Sequence, residues 1–260
     1  MKLLVTGSKG FIGKNLVMHL SEMDNIEILE MDRDTSFSDI EKDIDNLDYV
    51  FHLAGVNRPK KVKEFYEGNT DLSQQLVSLL NSKNLKVPII YASSIHAEAD
   101  SDYGKSKKLA ENAILDYGNG SLIYRFHNVF GKWCLPNYNS AVATFCNNIA
   151  TGQKIFVDDR NKKLELIYID DIVYEFKKII SGEKPTEQRG KYCYVKPRYK
   201  VSLGYIVDLL KQFKDELQTI YVPASGDDFI KKLHATFVTY LSPRDLVTTA
   251  TKNEDDRGNF

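Results

Sequence analysis

The sequence predicts an α/β fold: a parallel sheet wound on both faces by helices, with a smaller C-terminal lobe. Three observations carry that reading. Strand-like runs alternate with helix-like patterns through the first half, a glycine triplet marks the first strand-to-helix turn, and the rhythm changes near residue 130. Alternation at crossover-helix spacing is what a parallel sheet covered on both faces requires.

In order, KLLVT reads as the first strand, and Phe11, Ile12, Leu16, Val17 and Leu20 recur at helical spacing after it. Between them lie Gly7, Ser8, Lys9, Gly10 and Gly13. Missing side chains at such a turn let backbone N–H groups approach a pyrophosphate, which the helix N-terminus also attracts. The run IEILEMDRD is the second strand and ends at Asp32 and Arg33, about twenty residues past the triplet, where a ribose-binding residue belongs. The third strand is YVFHLA, whose His52 reads as a hydrogen-bonded structural residue rather than a ligand. Residues 64–80 form a helix, VPIIYASS a strand, 103–117 a helix and SLIYRFHNVF one strand. Beyond 130 come a helix in NYNSAVATFCNNIATG, a strand in KLELIYI, and helices in DDIVYEFKKII, VSLGYIVDLLKQF and FIKKLHATFVTYL, with GEKPTEQRGK as a polar loop. The expected organisation is a dinucleotide-binding unit over 1–130, a substrate-binding lobe over 131–250 that returns elements to the sheet, and a tail or linker over 251–260.

Composition narrows the function. The net charge of −1 offers no electrostatic footprint for nucleic acid. No apolar run approaches the roughly twenty residues that span a bilayer. Met1 leads straight into the first strand without a signal-peptide pattern, so the expected location is the cytoplasm. Cys134, Cys146 and Cys193 lie far apart and the five histidines are scattered, so neither a disulfide framework nor a metal site is expected.

In a parallel sheet ligands bind beyond the carboxyl ends of the strands, which directs attention to Ser93 and Ser94. Nine residues on, Tyr103 and Lys107 stand one helical turn apart. Carbonyl reduction needs a proton donor beside the hydride acceptor, and a neighbouring ammonium is expected to lower the phenol's pKa. Ser94 would hold the substrate oxygen. Fifteen tyrosines in a lysine-rich chain produce this spacing by chance, and Tyr174–Lys178 and Tyr192–Lys196 share it. Position selects Tyr103, and the other two pairs read as surface features.

TGSKGFIG, the acidic and basic pair after the second strand, DYVFHLAG, ASS, YGKSK, RFHNVFG and YIDDIV, in that order, resemble the extended short-chain dehydrogenase/reductase family, whose members mostly modify nucleotide-activated sugars. The resemblance implies a Rossmann-type fold and a cytoplasmic, commonly dimeric enzyme. More narrowly, HLAGVNRP, NVFGKWCLPNYNSAVATFC, DDRNKKLEL and the terminal DDRGNF resemble the reductase portion of a bifunctional capsular polysaccharide enzyme that also carries a cupin epimerase domain. That implies reduction of the 4-keto group of a UDP-linked 4-keto-6-deoxy-N-acetylhexosamine with NADPH, next to a cupin domain or a separate epimerase.

Carried over by motif, the resemblance makes Ser94, Tyr103 and Lys107 catalytic and assigns cofactor contacts to residues 7–13, Arg33, Leu53, Ala54, Gly55 and Asn69, with Asn128 facing the nucleotide-sugar. Relatives often carry an arginine for the diphosphate before the YIDDIV-like segment. Leu164 and Glu165 stand there in this chain, so Arg160 or Lys163 would have to serve. Asp32 suits the ribose of NAD, whereas Arg33 suits a 2′-phosphate. The expectation is NADP(H), with Arg33, and Ser8 or Lys9, on the phosphate and Asp32 turned outward. Ile95 and His96 follow Ser94 where a 4,6-dehydratase needs an acid. An NAD-dependent 4-epimerase and a non-catalytic NADP-binding regulator remain as alternatives.

Overall fold

The computed structural model describes residues 1–217, 226–247, 254–255 and 258–259. Its main sheet has seven strands: β1 (Lys2–Thr6), β2 (Glu27–Met31), β3 (Tyr49–His52), β4 (Ile89–Ser94), β5 (Leu122–Phe126), β8 (Glu187–Arg189) and β9 (Tyr192–Tyr194), in the spatial order β2-β1-β3-β4-β5-β9-β8. All neighbours pair in parallel except β8 with β9. The sheet is therefore doubly wound, and its strand order reverses next to β1, where such folds bind ligands.

Alternation along the strands feeds two cores. Leu3, Val5, Phe51, Ile90 and Tyr124 face α1 (Phe11–Ser21) and α7 (Ile169–Ile180), where they meet Leu16, Leu20, Ile172 and Phe176. Leu4, Val50, Ile89, Tyr91 and Ile123 face the other way, onto Leu76, Leu80, Ala110 and Ile114. These belong to α4 (Leu72–Ser82) and α5 (Asp102–Tyr117). The short α2 (Phe37–Ile40) contributes Ile40 to the same side.

A third core builds the lobe. β6 (Asn128–Phe130), β7 (Lys163–Tyr168) and β10 (Tyr199–Ser202) form a separate sheet in the order β10-β7-β6. It is packed by α6 (Ala141–Ala150), α8 (Leu203–Glu216) and α9 (Asp228–Val238) through Phe130, Phe145, Leu166, Leu210, Phe213, Phe229 and Phe237.

Several sequence readings need correction. SLIYRFHNVF is two strands, because the chain leaves the main sheet at His127 and starts the second sheet at Asn128. VSLGYIVDLLKQF is strand before it is helix, its β10 residues pairing antiparallel with β7. GEKPTEQRGK contains β8. The helix expected over 64–80 runs from Lys63 as α3 (Lys63–Phe65), a π-helical stretch over Tyr66–Asp71, and α4. In the expected tail, Glu254–Asp255 pair with Gly258–Asn259; residues 251–253, 256–257 and 260 lie outside the described residues. No helix among the described residues is long and apolar enough to cross a membrane.

Candidate active site

The glycine triplet is explained by contact. Gly7 has φ +70°, and a Cβ there would lie 2.7 Å from the Ala54 nitrogen; one on Gly13 would lie 2.1 Å from the Gly7 carbonyl oxygen. Any side chain would push β1, β3 and α1 apart. The N-cap of α1 is Gly10, which makes no side-chain cap bond, so no capping side chain covers the first-turn amides. The Ser8 hydroxyl is buried without a protein partner. An open cradle of amides with an orphaned hydroxyl fits a dinucleotide pyrophosphate.

At the end of β2 the structure corrects one expectation. Asp32 is folded toward the glycine loop, not outward: Oδ2 accepts from the Lys9 amide at 2.8 Å and Oδ1 from the Arg33 amide at 2.7 Å. Backbone N–H groups attract the carboxylate inward, where it ties the loop to β2. Arg33 is exposed, and Lys9 pairs with Asp34 at 3.2 Å in solvent.

The loop after β3 is held from beneath by a proton-ordered chain. Ser73 donates to the Asn69 carbonyl at 2.7 Å, so His52 Nε2 donates to Ser73 at 2.9 Å and Nδ1 accepts from Thr6 at 2.7 Å. Thr6 in turn accepts from the Ala54 amide at 3.3 Å. Burial and the charge of Lys107 push the His52 pKa down to about 3, keeping the ring neutral. His52 is structural, as its apolar setting suggested. Asn69 lies in the π-helical stretch and grips Val56 twice, through its amide and its carbonyl, both at 2.9 Å, and donates to Ser106 at 3.0 Å. The Asn69 side chain thus fixes the 53–56 loop against α5.

Ser94 ends β4, and its hydroxyl caps the 3₁₀ turn Ile95–Glu98 by accepting from the His96 amide at 3.1 Å. Tyr103 lies in the first turn of α5, capped by Ser101, with its side chain beside Ser94, whose hydroxyl acts on the phenol's ionisation. Its ring packs against Phe65, centroids 5.7 Å apart. Lys107 is buried; its ammonium donates to the Ala92 carbonyl at 2.7 Å and sits 4.3 Å over the Tyr91 ring. The structure therefore brings Ser94, Tyr103 and Lys107 together at the carboxyl end of β4. One electrostatic expectation fails: burial raises the Tyr103 pKa above the ordinary phenol value, offset in part by the nearby Ser94 hydroxyl. The cause is desolvation, which also drives Lys107 down to about 7.

The outer candidates diverge. Asn128 is exposed at the start of β6, next to the end of β5. Lys163 is exposed at the start of β7, and Arg160 is turned to α8, where Nη2 contacts both oxygens of Asp208 at 2.7 Å. Arg160 thus forms a solvent-exposed ion pair with α8. Tyr192, read as a surface feature, lies half-buried in β9 under the Arg125 guanidinium, 3.5 Å from its ring centre. Sequence reasoning also missed Gly104: a Cβ there would lie 2.3 Å from the Ala99 oxygen and 2.5 Å from the His96 oxygen, so only glycine lets α5 start this close to the Ser94 turn. Its place beside Tyr103 in YGKSK was the available signal.

A family model described as the NAD dependent epimerase/dehydratase family matches residues 3–189, from β1 through β8. The chain belongs to that family. Within it, the chain is 38% identical over 264 residues to a UDP-2-acetamido-2,6-beta-L-arabino-hexul-4-ose reductase of Pseudomonas aeruginosa, an alignment covering 100% of this chain and 70% of the relative. Among solved structures it resembles the capsular polysaccharide assembling protein CapF of Staphylococcus aureus, with TM-score 0.87 and 41% identity over 100% of this chain and 71% of that one. A UDP-glucuronic acid 4-epimerase of Bacillus cereus, solved with NAD, shares the fold at TM-score 0.76 and 17% identity, over 92% of this chain and 98% of that one. Like other members of the epimerase/dehydratase family, this chain has an NAD(P)-binding Rossmann fold.

Proposed function

We propose that this chain reduces the 4-keto group of a UDP-linked 4-keto-6-deoxy-N-acetylhexosamine, using NADPH, in the synthesis of a capsular or surface polysaccharide precursor. The observation that carries the reading is the Ser94–Tyr103–Lys107 group at the carboxyl end of β4, in a chain whose full length aligns with a reductase of such a keto sugar.

When bound in the glycine-loop cradle, the nicotinamide coenzyme supplies the hydride. The chain's own part is to place and protonate the keto oxygen. Ser94 donates a hydrogen bond to that oxygen, and Tyr103 gives it the phenolic proton as negative charge develops there. The raised phenol pKa keeps the donor protonated at neutral pH. Lys107 is fixed by the Ala92 carbonyl, one helical turn from Tyr103, and we assign its ammonium to the ribose of the coenzyme. Asn128 faces the sugar, and the lobe beyond residue 130 walls the other side of the cleft.

For the coenzyme we place Arg33 on the 2′-phosphate. The carboxylate of Asp32 is already engaged by two amides, which supports the exposed guanidinium as the recognition group. We also place the enzyme after a C3 epimerisation carried out by a cupin domain or a separate epimerase, and expect a homodimer.

The test is incubation with NADPH and a panel of UDP-4-keto sugars, with and without prior C3 epimerisation, following nicotinamide absorbance. Oxidation dependent on the keto sugar is expected. Sugar interconversion with no net nicotinamide change would replace the proposal by a 4-epimerase.

A further inference from the structure

On the face of β4 opposite Ser94 lies a buried ionic cluster absent from the chemistry above. Glu111, one turn beyond Lys107 on α5, is fully buried and its carboxylate is saturated. Oε1 accepts from the Ser93 hydroxyl at 2.6 Å and from Arg125 Nε at 2.8 Å; Oε2 accepts from Arg125 Nη2 at 2.6 Å. Arg125, on β5, also donates to Glu98 at 2.6 Å. Lys108 closes the cluster by donating to Glu98 and to the Tyr192 hydroxyl, each at 2.8 Å.

Burying such charges costs desolvation energy, and apolar residues would hold a helix to a sheet as firmly. What an apolar contact lacks is direction; a bidentate guanidinium–carboxylate fork fixes distance and angle together. Three of the segments the cluster grips carry or border the catalytic group. Ser93 adjoins Ser94 on the alternate face of β4, Glu98 closes the turn that Ser94 caps, and Glu111 shares α5 with Tyr103 and Lys107.

We propose that Glu111, held by Ser93 and Arg125, is a positioning residue that sets the axial register of α5 against β4, and with it the placement of Tyr103 and Lys107 relative to Ser94. The inference rests on the reading of that group as the reductive site. Charge acts in the same direction as geometry. The groups facing Lys107 are His52 from β3, Tyr91 and the Ala92 carbonyl from β4, and Glu111 on α5 itself; of these the Glu111 charge opposes the fall in the Lys107 pKa.

Two variants of the full chain separate the roles. Glu111→Asp keeps the charge but withdraws the carboxylate by one methylene, and kcat for keto-sugar reduction should fall about 10²-fold, the scale of a 1 Å misplacement, with KM unchanged. Glu111→Gln keeps the length and loses the charge. With ¹³C-lysine NMR, one lysine of the wild type should titrate near pH 7, and in Glu111→Gln that titration should move to lower pH. If a lone Arg125 prevents folding, the double variant Glu111→Gln/Arg125→Met removes both charges and should show the same lysine shift with lowered kcat. Folded variants with wild-type kcat and an unmoved lysine would overturn the proposal. A wild type that reduces no keto sugar sinks the reductase reading instead, and the lysine titration still decides whether Glu111 governs Lys107.

Discussion

Tyr103 can serve as proton donor because burial holds its phenol protonated beside the Ser94 hydroxyl. Tyr103→Phe removes one oxygen from a ring otherwise packed on Phe65, so turnover should fall by about 10²- to 10⁴-fold. Equilibrium titration of NADPH should be nearly unaffected; near-normal turnover would remove Tyr103 from the mechanism. His52 gives a prediction of a different kind. Its folded-state pKa of about 3 lies below the ordinary 6.5 of the unfolded chain. Between those values the unfolded chain holds more protons, so stability is present above pH 6.5 and is lost as pH falls toward 3. Urea unfolding of wild type and His52→Gln across that window checks the sign: the variant's stability should fall less steeply on acidification. The positions of Tyr103, Lys107 and Ser94 were legible from sequence because each lies at a fixed offset from a strand end. Their ionisation was not, since the cause is burial by Tyr91, Phe65 and the β3 loop, which no spacing encodes.

At the level of elements, strongly periodic segments were readable. The apolar stripe of α7, Ile169, Ile172, Val173, Phe176, Ile179 and Ile180, repeats at threes and fours and is buried along its length. Short or interrupted elements were not readable. β8, β9 and β10 have three or four residues each and take their register from neighbours. The π-helical turn around Asn69 departs from the 3.6-residue period just where the site needs that side chain. The Glu98–Glu111–Arg125 cluster joins residues 14 and 27 positions apart on three elements, beyond any local pattern. The start of α5 is where element geometry bears most directly on chemistry. Gly104→Ala would drive a methyl group into the His96 and Ala99 carbonyls, and carbonyls that close helix and turn hydrogen bonds cannot yield as a side chain would. We expect α5 to shift away from the Ser94 turn, with kcat lowered about 10²-fold and far-UV circular dichroism unchanged. An unaltered kcat would show that the first turn of α5 adapts without moving Tyr103.

Across the whole molecule, the two sheets are interleaved in sequence. The chain passes from β5 to β6 through His127 alone, returns from β7 into α7 without a loop, and leaves β9 for β10 after four residues. α7 packs its apolar face on the main sheet, while Asp171 in its first turn binds Lys232 of α9 at 2.9 Å; Lys232 also reaches Asp228 at 2.8 Å and the Tyr199 hydroxyl at 2.9 Å. A lobe joined by three short crossings and one shared ion network cannot lose its packing without pulling on the strand ends that carry the site. We therefore expect a single cooperative unfolding transition despite three hydrophobic cores. The lone tryptophan, Trp133, provides a local probe, because it sits just past β6 with the Lys14 ammonium of α1 4.4 Å over its ring. In urea, its fluorescence and far-UV circular dichroism should report the same midpoint. Lys232→Ala leaves Asp171 half-buried without its cation, which should cost about 1–3 kcal/mol, less than the loss of a fully buried partner. Because the network joins the lobe to α7, both probes should shift together in this variant. Two separated transitions, or a fluorescence midpoint that stays while the dichroism midpoint falls, would show that the lobe is an independent folding unit merely resting on the sheet.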